Sequence, residues 1–210
     1  MPFQLTEVVK NLLILNILAF IGAYTILGDS TLLGQGRNTL GLAYFETEWF
    51  EPYQLVTHLF MHQDFMHLFF NMLGLVIFGP KLERYLGAKH FLILYFVAAI
   101  GAVVLHTGVQ YIELHYMGNL DILRGLSWGA SGALYGIIIG YALKFPNDQF
   151  MLIIPPMPVK AKYIALFYIG YDLFAGFNNF NTGIAHFAHL GGALFAFLLI
   201  KYWDRKERGY

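Results

Sequence analysis

Ser131 is the one hydroxyl in a run almost without side chains, Trp128-Gly129-Ala130-Ser131-Gly132-Ala133-Leu134-Tyr135-Gly136. A serine becomes a nucleophile when a neutral imidazole takes its proton, and the imidazolium can then protonate a leaving amine. His189, within Ala188-His189-Leu190-Gly191-Gly192, offers such an imidazole from a second glycine-dense segment. Acyl transfer also needs donors for the charge that develops on the carbonyl oxygen. His67 and Asn71 are four residues apart and share one face of a helix. The backbone N–H of Ser131 is a third donor if a helix begins there. A plainer reading competes: Gly132, Gly136 and Gly140 repeat at the four-residue spacing that close helix contacts use, with Ser131 as one more small residue. The two readings part on whether three distant segments bring these side chains to one depth.

The chain has 210 residues, 58% hydrophobic and 12% charged. A soluble domain averages about 25% charged residues, so half that share points to lipid as the solvent. Glycine and proline are scattered without a linker, which makes residues 1–210 one domain. With no cysteine, disulfides, thiolate metal sites and a cysteine nucleophile are all excluded. A net charge of zero and no Lys/Arg run argue against nucleic acid as a partner.

Apolar stretches approaching the ~20 residues of a spanning helix occur at Val8 to Leu27, Met66 to Phe78, His90 to Val109, Leu126 to Phe145, Val159 to Phe177 and Thr182 to Trp203. The second reaches full length only by continuing through Pro80 to about Arg84. Asn11 and Asn16 interrupt the first, and no small-residue cleavage site follows it, so it is expected to be retained rather than removed as a signal. With six spans, eleven of the thirteen Lys and Arg fall on the side of the termini, and only Arg37 and Arg124 fall opposite. Both termini are then expected to be cytoplasmic. The first outer loop, about Gly28 to Thr57, carries Tyr44, Phe45, Trp49, Phe50 and Tyr53 and is expected to lie partly in the outer interface. Met151 to Pro158 reads as an interfacial connector without chemistry.

In this topology the second, fourth and sixth helices all run inward from the outer face. About five residues into each, roughly 8 Å deep at 1.5 Å per residue, stand Asn71, Ser131 and His189. Polar groups in a span are costly and usually face the bundle interior or a wet cavity. The coincidence favours Ser131 as nucleophile and His189 as base and then acid, with water reaching them through a cavity that His58, His62 and His67 help line.

Gly129-Ala130-Ser131-Gly132 followed by Tyr135, His67-Leu68-Phe69-Phe70-Asn71, and Ala188-His189-Leu190-Gly191-Gly192 closely resemble the signature segments of the rhomboid intramembrane serine proteases. The resemblance runs from about Leu55 to Leu199. It implies an all-α membrane protein, a six-transmembrane-helix bundle with a long interfacial first outer loop. It further implies a Ser131–His189 dyad without aspartate, an oxyanion hole lined by His67 and Asn71, and Tyr135 stacked on His189, with no cofactor and no metal. The implied partners are transmembrane protein substrates in the lipid bilayer, cleaved in or near the outer leaflet. Cleavage favours segments that unwind easily, and the fifth helix and outer loop are candidates for a gate. The family's frequent Trp-Arg pair in the outer loop is Trp49-Phe50 here, so details of that loop do not carry over. A short chain of this kind suits a bacterial inner membrane.

Several residues keep a second reading. Tyr135 is also an ordinary core residue, and Gly191 and Gly192 read as packing residues that let two helices approach. His186, three before His189, is the rival base. His58, His62 and His67 could form a metal cluster, with Asp64 the only nearby carboxylate. His106 and His115 read as interfacial. Asp172 is the one acid inside the fifth span that could make a triad, and the resemblance sets it aside. At the level of the whole protein, the rivals are a non-catalytic relative that binds membrane clients, which should lack the nucleophile or base, and a small transporter, which needs a polar path across the full membrane.

Overall fold

The computed structural model describes residues 4–27, 40–152, 155–178, 185–207 and 209. Arg37 and Thr182 lie outside the described residues, as does the outer loop before Leu40. Six helices of fourteen residues or more carry the fold: α1 Glu7–Gly22, α2 Phe65–Leu86, α3 Ala88–Met117, α4 Ser131–Lys144, α5 Ala161–Phe177 and α6 His186–Glu207. Two small antiparallel ladders join their ends. In one, β1 Leu42–Ala43 pairs with β2 Leu126–Ser127; in the other, β3 Gln149–Met151 pairs with β4 Pro158–Lys160.

α4 is the centre of the bundle. Residues Gly132 to Ala142 are buried around the whole helix, and it packs against α2, α3, α5 and α6. Its 14 residues make about 21 Å, short of the ~30 Å hydrocarbon core. An enclosed helix need not span that thickness. The non-helical backbone above its first turn is tolerated because protein surrounds it. By length and composition three helices can cross a membrane: α1 through Thr25, α2 and α3.

The helix bounds differ from the sequence reading where backbone signals overrule hydropathy. α2 does continue through Pro80, and it ends at Leu86 on Gly87, whose φ of 78° turns the chain directly into α3. α3 runs eight residues past Val109, through polar Gln110 and Glu113, and stops at Gly118 with φ 71°. α4 begins five residues after the expected Leu126, because Leu126–Ser127 is held in a ladder and Gly129 adopts φ 106°. The end of α1 loosens into a π-helical turn, Ala23–Leu27. Of the described residues in the first long loop, Leu42, Ala43 and Tyr44 are buried, while Phe45 and Tyr53 are exposed. The Met151 to Pro158 connector links the strands of the second ladder and closes it with the Met151–Pro158 rung, with residues 153–154 outside the described set.

Polar ties fix the helices. The Glu83 carboxylate, buried on α2, accepts from the Val8 and Val9 amides at 3.0 and 2.9 Å and from the Thr6 hydroxyl at 2.5 Å, so it caps α1 from another helix. Lys144 pairs with Asp204, and Asp148 takes both Lys81 and the Tyr141 hydroxyl.

The tightest packing is backbone on backbone. A Cβ on Gly192 of α6 would lie 2.0 Å from the Gly132 carbonyl oxygen of α4, and one on Gly191 would lie 2.2 Å from the Gly101 oxygen of α3. Neither oxygen belongs to a flexible group that can swing aside. Gly192→Ala should therefore lower the thermal midpoint in detergent, at a cost of about 1–3 kcal/mol or more. Gly170→Ala, where nothing lies within 4 Å, should be neutral or stabilising by up to about 1 kcal/mol. Equal midpoints for the two variants would contradict this packing.

Candidate active site

Ser131 is the first residue of α4, and three contacts place it there. The Gly129 amide donates to the His58 carbonyl at 2.8 Å, β2 is tied to β1, and Trp128 packs flat over Gly41. A side chain at Gly129 would both strain its φ of 106° and meet His67 Nε2 at 2.6 Å. The His67 ring therefore rests on the turn two residues before Ser131. The first bond inside α4 runs from the Leu134 amide to the Ala130 oxygen, leaving the Ser131, Gly132 and Ala133 amides as first-turn donors. Gly132 leaves room for Ala102, whose Cβ would lie 2.4 Å from an added methyl.

His189 is the fourth residue of α6. Its Nε2 lies 2.9 Å from Ser131 Oγ. The Tyr135 ring, one turn into α4, stacks on the imidazole at 4.2 Å and 14°. On the other side, His189 Nδ1 lies 3.2 Å from Asp172 Oδ2 and 3.3 Å from Oδ1. An ionised carboxylate only accepts, so Nδ1 carries the proton and Nε2 is left to accept the serine O–H. His186, the rival base, turns to the same acid, with Nδ1 2.6 Å from Asp172 Oδ1. Its bond is with Asp172 and not with Ser131.

On α2, the Asp64 carboxylate caps the His67 amide at 2.8 Å. The Asn71 side-chain amide is buried and donates to the His67 carbonyl at 2.9 Å, with a second N–H remaining. The three polar groups stand in the first two turns of α2, α4 and α6, but not five residues into each. Asn71 is seventh in α2, Ser131 first in α4 and His189 fourth in α6.

Three features exceed the sequence reading. Asp172, set aside there, is 1% exposed and meets both histidines of α6. Its signal was available, because an ionisable group inside a span is costly without a partner. His106 lies inside α3, which extends past it, and its Nε2 lies 2.9 Å from Ser127 Oγ. A cavity of ≈ 30 Å³, room for one water, lies beside Ser131, lined by His58, His106 and Ser127 rather than by His62 and His67. His115 does lie at the outer helix end, 3.0 Å from Glu46.

Among the described residues the one group spaced for a metal ion is Asp172, His186 and His189, whose ligand atoms lie within 4.8 Å of one another. Their mutual hydrogen bonds account for that spacing. The His58, His62 and His67 set does not form such a group.

Comparison with known proteins gives a consistent family. The model described as Rhomboid domain matches residues 49–205. "Rhomboid protein 1, mitochondrial" of Saccharomyces cerevisiae is 35% identical over 139 residues, covering 66% of this chain and 38% of that protein. "RHOMBOID-like protein 12, mitochondrial" of Arabidopsis thaliana is 32% identical over 165 residues, covering 74% and 46%. "Rhomboid protease AarA" of Providencia stuartii is 27% identical over 184 residues, covering 81% and 61%. The match thus takes in less than two thirds of each of these relatives.

His62, in the turn before α2, is 2% exposed, and neither ring nitrogen has a partner at hydrogen-bond geometry. Burial, then the adjacent His67, lowers its pKa to about 4. Unfolded, the ring titrates near 6.5, so the stability of the neutral form is complete above that value and is lost as pH falls through about 4. The thermal midpoint should fall between pH 7 and pH 4, and His62→Leu should flatten part of that fall. Parallel pH profiles for parent and variant would exclude His62 as the source.

Proposed function

The chain belongs to the rhomboid family, and from that premise we propose that it is an intramembrane serine protease with Ser131 as nucleophile and His189 as general base and acid. The observation that carries this reading is the 2.9 Å approach of His189 Nε2 to Ser131 Oγ across two helices. Ser131 Oγ attacks the scissile carbonyl carbon while its proton passes to His189 Nε2. The first-turn amide of Ser131, with His67 and Asn71, supplies donors for the tetrahedral oxyanion. Collapse breaks the C–N bond, His189 returns the proton to the leaving amine, and an ester remains on Ser131. A water in the cavity beside Ser131 then attacks the ester with His189 again taking a proton, which releases the acid and regenerates the serine.

The substrate class follows from the site's setting. The hydroxyl lies inside a bundle of apolar helices, so the scissile peptide is that of a transmembrane protein. A helical peptide keeps its carbonyls in internal bonds, which favours segments with small or helix-breaking residues. The Lys/Arg asymmetry supports cytoplasmic termini and cleavage in or near the outer leaflet. The relatives include both mitochondrial and bacterial proteins, and the membrane we propose is a bacterial inner membrane.

The test uses purified protein in detergent, a model single-span substrate and a serine-directed fluorophosphonate. Parent protein should cleave the substrate and take one phosphonyl group on Ser131. Ser131→Ala should lose both, with turnover down by at least about 10³-fold. Asn71→Ala should lower kcat by roughly 10²-fold while the fluorophosphonate adduct still forms. Turnover by Ser131→Ala at the parent rate excludes the reading, and a parent that neither cleaves nor labels is a client-binding relative without chemistry.

A further inference from the structure

The geometry points to Asp172 as a third member of the site: a positioning residue on α5 whose carboxylate, with Oδ1 also held by His186, fixes the proton of His189 on Nδ1. This rests on the reading of Ser131 and His189 as nucleophile and base. It departs from the dyad that the sequence resemblance implies.

The first observation is burial. Asp172 is 1% exposed and is the sole acid of α5, at a buried position where an unpartnered carboxylate is very unfavourable. Its partners come from two other helices. His186 Nδ1 lies 2.6 Å from Oδ1, His189 Nδ1 lies 3.2 Å from Oδ2, and the Tyr135 hydroxyl faces the same carboxylate from α4.

The second observation is which nitrogen each histidine offers. His189 presents Nδ1 to the acid and Nε2 to Ser131, the division that a serine nucleophile requires. The short bond to His186 has a role in this. His186 is three residues before His189 on one face of α6, so its bond to Oδ1 stops the carboxylate from rotating away while both oxygens lie within reach of His189 Nδ1. Tyr135 both stacks on the imidazole and faces the acid, so ring and carboxylate are set by the same side chain. A purely structural Asp172–His186 pair would explain the 2.6 Å bond but not the placement of His189 Nδ1.

The experiment compares parent, Asp172→Asn, His186→Gln and Ser131→Ala in detergent, each first checked for a cooperative thermal transition. Readouts are kcat and KM on the model single-span substrate, and the ¹⁵N shifts of histidine rings in protein labelled only at histidine, with His189→Gln to assign the signal. Asp172→Asn should lower kcat by roughly 10²-fold with KM little changed, and should move the His189 ring away from the pure Nδ1–H form. Gln at position 186 still offers an N–H to Oδ1, so His186→Gln should lose far less activity and keep the His189 tautomer. A folded Asp172→Asn with parental kcat and an unchanged His189 spectrum overturns the assignment. So does a His186→Gln that loses as much as Asp172→Asn while the His189 spectrum stays parental in both. If Asp172→Asn fails to fold, the spectrum of His186→Gln decides: a parental His189 tautomer supports Asp172 as its anchor, and a switched one overturns it. Activity in Ser131→Ala would instead remove the protease reading itself, which separates the two failures.

Discussion

Contact between the backbones of α4 and α6 is the constraint on which the other features of the site depend. Ser131 and His189 are 58 residues apart in sequence, and their side chains are short. A 2.9 Å contact between them requires helix axes closer than ordinary side chains allow. Gly192 against the Gly132 oxygen and Gly136 against Ala98 and Ala196 supply that approach. Small residues at such crossings are the usual means of association in lipid, where burying apolar surface gains nothing over contact with acyl chains. The glycines that look like plain packing and the glycines that frame a nucleophile are therefore the same residues, and the two readings of the Ser131 segment are complementary.

The same solvent dictates how polar groups are arranged. Away from water, each buried donor or acceptor needs a protein partner, and most of those described here have one on a different element. Glu83 of α2 satisfies the start of α1. The Gln54 side chain accepts from Ala43 and donates to the Trp49 carbonyl, which ties the outer loop to the turn before α2. The Ser131 turn is held by the His58 carbonyl, and His58 Nδ1 is itself 2.6 Å from the Gln54 carbonyl. A chain of such bonds runs from the outer loop to the serine, so the irregular backbone above α4 is fixed even though it is neither helix nor extended sheet.

How much of this was legible in the sequence follows from the range of each signal. The helical character of the chain and the continuation of α2 past Pro80 are written in local periodicity and composition. The start of α4 was not, because it is set by a two-residue ladder that pairs Leu42 with Ser127 and Ala43 with Leu126, far apart in sequence. The length of α3 was missed because hydropathy fades at Gln110 while the helix stops only where Gly118 turns left-handed. Burial of Leu42 to Tyr44 and the bond from His106 to Ser127 depend on tertiary partners that no spacing reveals. Asp172 is the instructive case. Its oddity as the sole acid in an apolar stretch was visible, but its partners lie on α4 and α6, and only their packing shows which atoms it meets.

Asp172 also joins two parts of the bundle that are otherwise held differently. α6 is locked to α3 and α4 by glycine contacts that leave no slack. α5 meets the bundle mostly through small residues, Ala161, Ala165, Ala175 and Gly176, with Ile164 and Ile169 partly buried beside them, and exposes much of Phe167 and Phe174. Small side chains bury little area, at about 25 cal/mol per Å², so a modest displacement of α5 loses little apolar contact. The same displacement acts strongly on Asp172. Its bond to His189 is already 3.2 Å long, and an added half ångström takes it beyond hydrogen-bond range. The 2.6 Å bond to His186 would survive longer. If Asp172 sets the proton on His189, the position of α5 and the basicity of the imidazole are one coupled quantity, and the coupling runs through the weaker of the two bonds.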